Sequence, residues 1–153
     1  MLLSKSCVYG VRALIYLAIE DQRRYIPIKE VSEKLNISFH FLTKILQTLT
    51  QHNLIESFKG PKGGVTLARN ATDISILDVV EAIDGKKIFQ ECLLGLPGCS
   101  IEKPCPLHSM WGQTREELRR NLSASRLSEL AGEINAGNLR LYDVVVNGTL
   151  KNT

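Results

Sequence analysis

Between Ile26 and Ala68, two short amphipathic segments lie three residues apart, and a glycine-rich hairpin follows at once. Few folds accommodate that order. Pro27 stands near the start of the first segment, where its missing N–H costs nothing, and Val31 and Leu35 supply an apolar side. Asn36 and Ile37 close the segment, and Ser38 is a suitable N-cap for a second helix from about Phe39 to His52. Phe41, Leu42, Ile45, Leu46 and Leu49 recur at helical spacing, while His40, Thr43, Lys44, Gln47 and Thr48 face away. Two helices joined by so short a turn form a helix-turn-helix. Leu54 to Phe58 reads as a strand, Lys59-Gly60-Pro61-Lys62-Gly63-Gly64 as a turn, and Val65 to Ala68 as the returning strand. A hairpin directly after the second helix is the wing of a winged helix.

The flanks complete the architecture. Ser4 to Glu20 reads as a helix carrying Val8, Val11, Ile15 and Ile19, with Leu14 and Ala18 alongside. It is apolar over more than one stripe, which predicts burial against its own domain and a partner. Lys5, Arg12 and the lack of a cleavage site make it a helix rather than a signal peptide. Ser75, with Asp78 three residues on as an imperfect capping box, opens a helix that ends at Asp84-Gly85. Lys86 to Glu91 is short and carries no pattern that decides its form, an extended segment being one reading. A longer helix is expected from Leu107 to Asn121, with core candidates Leu107, Met110 or Trp111, Thr114, Leu118 and Leu122. A compact winged helix has too little surface to cover such a helix, which predicts a homodimer formed through it. Ser125 or Ser123 is expected to cap a last short helix through Leu127, Leu130 and Ile134, and residues 147–153 are expected to be loose. The fold class is mainly α with a small β-hairpin wing, a winged helix-turn-helix plus a long C-terminal dimerisation helix. The expected division is a DNA-binding domain at 1–85, a cysteine-rich loop at 86–108, a dimerisation helix with a short return helix at 109–140, and a tail at 141–153.

Charge supports a polyanionic partner. Residues 1–70 carry ten Lys and Arg against five Asp and Glu, whereas residues 71–153 carry nine against eleven. A major groove admits one helix, and polar side chains at its start reach base edges. Ser38, His40, Thr43 and Lys44 hold those positions, while Lys59 and Lys62 on the small-residue wing would meet phosphates. The expected partner is double-stranded DNA. No run of 18 apolar residues occurs, so no membrane span is expected, and a cytoplasmic location follows as an expectation. There is no nucleophile elbow, no Walker glycine loop and no H-E-x-x-H; an enzyme is not expected.

Three of the four cysteines fall within Cys92–His108, CLLGLPGCSIEKPCPLH, spaced C-x6-C-x5-C-x2-H. Its glycines and prolines make it a poor helix and a poor strand. Thiolates and imidazole are soft donors suited to iron and zinc. Cys92, Cys99, Cys105 and His108 would suffice for tetrahedral zinc or for a [2Fe–2S] cluster with mixed coordination. The same thiols could act as an oxidation sensor, or the loop could carry no chemistry. Cys7, on the apolar side of the first helix, reads as core.

Several motifs resemble the Rrf2 family of bacterial transcription regulators, over about residues 1–135. Lys5-x3-Tyr9-x-Val11-x-Ala13-Leu14 resembles its first helix. Ile37-Ser38-x2-Phe41-Leu42-x-Lys44-Ile45-Leu46 resembles its recognition helix, and Leu54-Ile55-x-Ser57-x-Lys59-Gly60-Pro61-x-Gly63-Gly64-Val65-x-Leu67 its wing. The resemblance implies a dimer, often a repressor, on an operator with two-fold pseudo-symmetry. The following cysteines are similar to the branch that binds iron–sulfur clusters, which implies Cys92, Cys99, Cys105 and His108 as ligands, with one residue more between the first two cysteines than that branch usually has. [4Fe–4S] is the alternative cluster, and Cys7 the alternative fourth ligand. Where the branch reads DNA with a glutamate and an arginine, this chain has Thr43 and Lys59, which implies a different operator. Two other readings stand beside this one. The first is a cluster-free winged-helix regulator that senses by cysteine oxidation or partner docking, and the second is a zinc-stabilised interaction module.

Overall fold

The computed structural model describes residues 2–142, 144–146 and 149–151. Helix α1 (Lys5–Ile19) runs through the centre. Ser4 caps it, its Oγ accepting from the Cys7 N–H at 3.0 Å. Every residue from Ala13 to Ala18 is buried, because α1 packs against helices on several sides. The Ala13–Ala18 half is enclosed by its own chain, while Val8, Val11 and Ile19 stay half-buried.

Helix α2 (Ile28–Leu35) starts after Pro27 and stops at Asn36, whose φ of 53° is left-handed. The buried Ser32 hydroxyl donates to the Ile37 carbonyl at 2.5 Å, and the Ile37 N–H donates back to the Ser32 carbonyl at 3.0 Å. These two bonds fix the three-residue turn. Helix α3 (Phe39–Gln51) follows with Ser38 as N-cap, burying Leu42, Ile45, Leu46 and Leu49. Strands β1 (Ile55–Phe58) and β2 (Gly64–Leu67) pair antiparallel from Ile55↔Leu67 to Phe58↔Gly64. An Ile26↔Val65 bridge ties the wing to the start of α2.

A 3-10 turn at Ala71–Asp73 leads to helix α4 (Ile76–Asp84). Its capping box is complete: Ser75 Oγ accepts from the Asp78 N–H at 3.2 Å, and Asp78 Oδ2 accepts from the Ser75 N–H at 2.9 Å. The segment that local pattern left undecided forms a single turn, α5 (Lys87–Gln90), with Phe89 packed on the core. Apolar contact rather than propensity decides this segment.

Helix α6 (His108–Ala124) is the longest, and among the described residues none of it is buried. Of its expected core positions, Met110 and Thr114 are exposed; Trp111, Leu118 and Leu122, and Leu107 just before it, are half-buried. Helix α7 (Leu127–Asn135) returns to pack on α1, burying Leu127 and Ala131. Neither Ser123 nor Ser125 caps it. The residue before it is Arg126, without a side-chain cap, and backbone bonds to α4 take over that role. The Leu127 N–H donates to Ile74 O at 3.0 Å, and the Ile76 N–H to Ser125 O at 2.9 Å. Strands β3 (Val144–Val146) and β4 (Thr149–Lys151) form a second antiparallel pair, so part of the 147–153 stretch expected to be loose is extended, paired with the β-branched run of β3. Of that stretch, 147–148 and 152–153 lie outside the described residues.

Candidate nucleic-acid interface and cysteine centre

Ser38, His40 and Lys44 are exposed at the N-terminal end of α3, and Thr43 is half-buried beside them. Ser38 Oγ accepts from the Phe41 N–H at 3.5 Å, so it caps the helix while remaining at its tip. Thr43 Oγ1 donates to the Phe39 carbonyl at 2.8 Å; its proton is committed to the helix, leaving lone pairs outward. Lys59 and Lys62 are exposed on the wing. Between α3 and the wing runs a groove of about 730 Å³, walled by Phe39, Thr43 and Gln47 on one side and Phe58 and Lys59 on the other. Phe39 and Phe58 line this groove although no sequence motif singles them out. The available signal was that Phe39 lies outside the Leu42/Ile45/Leu46/Leu49 stripe.

Tyr9 of α1 packs edge-on against Phe41, ring centroids 5.7 Å apart, with Lys5 Nζ 5.6 Å from the Tyr9 ring. The first turns of α1 therefore brace the start of α3. At the other flank, the backbone N–H and hydroxyl of Ser4 both donate to Asp84, the last residue of α4. His52 closes α3, its Nδ1 2.9 Å from the Thr48 carbonyl, in keeping with a structural role.

The cysteine loop is built from turns. Gly95 and Gly98 both have φ of 69°, a left-handed conformation that glycine adopts without strain. Bonds from Gly95 N to Cys92 O (3.0 Å), Cys99 N to Leu96 O (3.4 Å) and His108 N to Cys105 O (3.1 Å) fold the chain back at each cysteine. The sulfurs of Cys92, Cys99 and Cys105 consequently lie within 4.8 Å of one another. Cys92 Sγ is 3.5 Å from Cys105 Sγ, and Cys99 Sγ is 3.3 Å from His108 Nδ1. All four side chains line one cavity of about 30 Å³, enough for more than a single water-sized sphere. Three thiols and an imidazole around one small cavity are a donor set for a soft or borderline metal.

Helix α6 holds the loop in place. Trp111 Nε1 donates to Glu91 O at 2.9 Å, and Arg115 donates to Gln90 O and Glu91 O, each at 3.2 Å. The Cys92 thiol is lowered to about 7, chiefly by a backbone hydrogen bond from Leu96, with help from Leu94 and the neighbouring thiols. The Cys105 thiol is raised, first by desolvation. Cys7 sits apart from this group, fully buried in the core. Burial, followed by the Asp84 charge, pushes its thiol up to about 12.

No helix among the described residues is long and apolar enough to cross a membrane. The chain matches the Rrf2 family, described as iron-dependent transcriptional regulators, over residues 3–133. It is 30% identical over 122 residues to the HTH-type transcriptional regulator IscR of Photorhabdus laumondii, covering 80% of this chain and 74% of that one. Its fold is similar to that of CymR, the global cysteine regulator of B. subtilis, with a TM-score of 0.74 at 23% identity, covering 85% and 95% of the two chains. It is similar also to T. potens IscR, with a TM-score of 0.71 at 22% identity over 90% and 91%. Both neighbours carry the winged helix described above. The span of the match, the helix-turn-helix and the wing together make this chain a member of the Rrf2 family of transcriptional regulators.

Proposed function

We propose that this chain is a dimeric, cytoplasmic DNA-binding regulator whose operator binding responds to a [2Fe–2S] cluster held by Cys92, Cys99, Cys105 and His108. The observation that carries the reading is the gathering of four donors around one cavity. The sulfurs of Cys92, Cys99 and Cys105 lie within 4.8 Å of one another, with His108 Nδ1 3.3 Å from Cys99 Sγ, a thiolate and imidazole set of the kind that iron–sulfur clusters take. A cluster supplies sensitivity to iron, oxygen or nitric oxide. The protein supplies the linkage. Trp111 and Arg115 fasten the backbone just before Cys92 to α6, and His108 is the first residue of that helix. The uncovered face of α6 supports pairing with a second copy, so a change at the loop reaches the spacing of the two recognition helices. A coupling of about 1.4 kcal/mol is tenfold in affinity. At the operator, which has two-fold pseudo-symmetry, Ser38, His40, Thr43 and Lys44 face base edges, while Lys59 and Lys62 meet phosphates. Residues 1–85 form the DNA-binding unit, 86–108 the sensing loop, 109–140 the dimer helix and its return, and 141–153 a tail.

Anaerobic reconstitution should give visible absorbance with iron and sulfide in similar amounts, and different DNA affinity with and without the cluster. Protein that stays colourless and binds DNA identically in both conditions would sink the proposal; stoichiometric zinc without DNA binding would favour the interaction module. A second reading, sensing by thiol oxidation, is favoured by the 3.5 Å separation of Cys92 and Cys105 and the lowered Cys92 thiol. Cys92→Ser and His108→Ala discriminate: a cluster sensor is impaired by both, a thiol sensor only by the first.

A further inference from the structure

The recognition helix carries a side chain that its packing does not use. Phe39, the first residue of α3, is 52% exposed, whereas Leu42, Ile45, Leu46 and Leu49 are exposed by 4% or less. It does not cap the helix, since Ser38 does so through its hydroxyl. Phe39, Thr43 and Gln47 follow at steps of four and so share one face, the α3 wall of the groove beside the wing. Phe58, 57% exposed, stands on the opposite wall.

Lys29 and Lys59 also line this groove. An apolar protein segment seated here would strip water from both ammonium groups without pairing them. A polyanion that offers an apolar spot fits both features. Duplex DNA has such a spot in its major groove, the C5-methyl of thymine, and Phe is among the side chains that contact it. On this side the Thr43 hydroxyl, its proton donated to the Phe39 carbonyl, can accept from a base but not donate to one.

We infer that Phe39 is a specificity-determining residue that packs against a thymine methyl group in each operator half-site, on the wing side of α3. The inference rests on the reading of α3 as the recognition helix. The test begins with a duplex selected from a random library by the wild-type protein. Each thymine is then replaced singly by uracil, which removes the methyl group and leaves the pairing edge intact. Wild-type affinity, read by fluorescence anisotropy, should fall about fourfold for a contacted methyl, at symmetry-related positions in the two half-sites. Phe39→Ala should bind the thymine and uracil duplexes alike, and Phe39→Leu should keep part of the difference. Unchanged thermal melting of both variants shows that folding is not the cause. Wild-type indifference to every uracil, or an unchanged thymine-to-uracil ratio in Phe39→Ala, overturns the inference while DNA binding stands. A library that yields no duplex at all overturns the recognition-helix reading and this inference with it.

Discussion

Gly10 lies where α1 meets both α3 and α4, and Gly10→Ala measures how tightly that junction is built. A Cβ added there would lie 2.3 Å from Ile83 Cδ1 of α4 and 3.3 Å from Ile45 Cγ2 of α3. Ordinary carbon contacts are about 3.5–4.0 Å, so Ile83 must move by more than an ångström while Ile45, 4% exposed, has nowhere to go. Two effects oppose one another. Alanine gains about 1 kcal/mol over glycine in a helix interior, and overpacking costs about 1–3 kcal/mol. The expected net is a destabilisation on the order of 1 kcal/mol. Ile83→Val removes the clashing methyl and by itself costs about 0.5–1.5 kcal/mol. In that background Gly10→Ala should become neutral or stabilising, because the nearest remaining neighbour is the one at 3.3 Å. Urea midpoints at a fixed protein concentration report both arms of the cycle. A Gly10→Ala protein more stable than wild type, with the two substitutions additive within about 0.5 kcal/mol, would refute the packing argument.

Other consequences are as accessible. Ser75→Ala leaves the Asp78 N–H without its cap at a site where Ser75 is only 3% exposed, so denaturant unfolding should show a loss of about 1 kcal/mol that Ser75→Asp largely restores. Glu30 accepts from Tyr16 Oη at 3.0 Å and from Arg23 Nη2 at 2.7 Å, and the Arg23 guanidinium foremost holds its carboxyl below the ordinary 4.5. Its contribution is therefore complete above about pH 4.5 and is lost as pH falls through the lowered folded value. Glu30→Gln should flatten the acid limb of a stability profile while leaving its slope near neutrality unchanged. Lys59→Ala and Lys62→Ala should each weaken binding across sequences and reduce the salt slope by about 0.9 for each phosphate no longer neutralised. A changed base preference with an unchanged slope would place those lysines elsewhere.

Much of the winged helix was legible because local signals agreed with one another. Ser38, Pro27 and the glycine-rich wing each admit few conformations, and the apolar positions of α3 repeat at one period. The cysteine centre was legible as a set of donors but not as one gathered site, since the gathering depends on where the Gly95 and Gly98 turns return the chain. Lys86–Glu91 was undecided and the cap of α7 misplaced for one shared reason. Neither carries a decisive local signal, and neighbours distant in sequence decide them: Phe89 against the core, and Leu127 bonded to Ile74.

The sequence alone determined the order of the winged-helix elements, the caps at Ser38 and Ser75 and the kinds of donor in the loop, because propensity, capping and side-chain chemistry act within a few residues of the chain. Only the tertiary structure decided that the Ala13–Ala18 half of α1 is enclosed by its own chain, that Lys87–Gln90 turns as a helix, and that the three loop sulfurs and His108 meet at one cavity. It also decided that Phe39 faces a groove rather than the core. Those facts depend on which surfaces meet across tens of residues, and no local pattern encodes them.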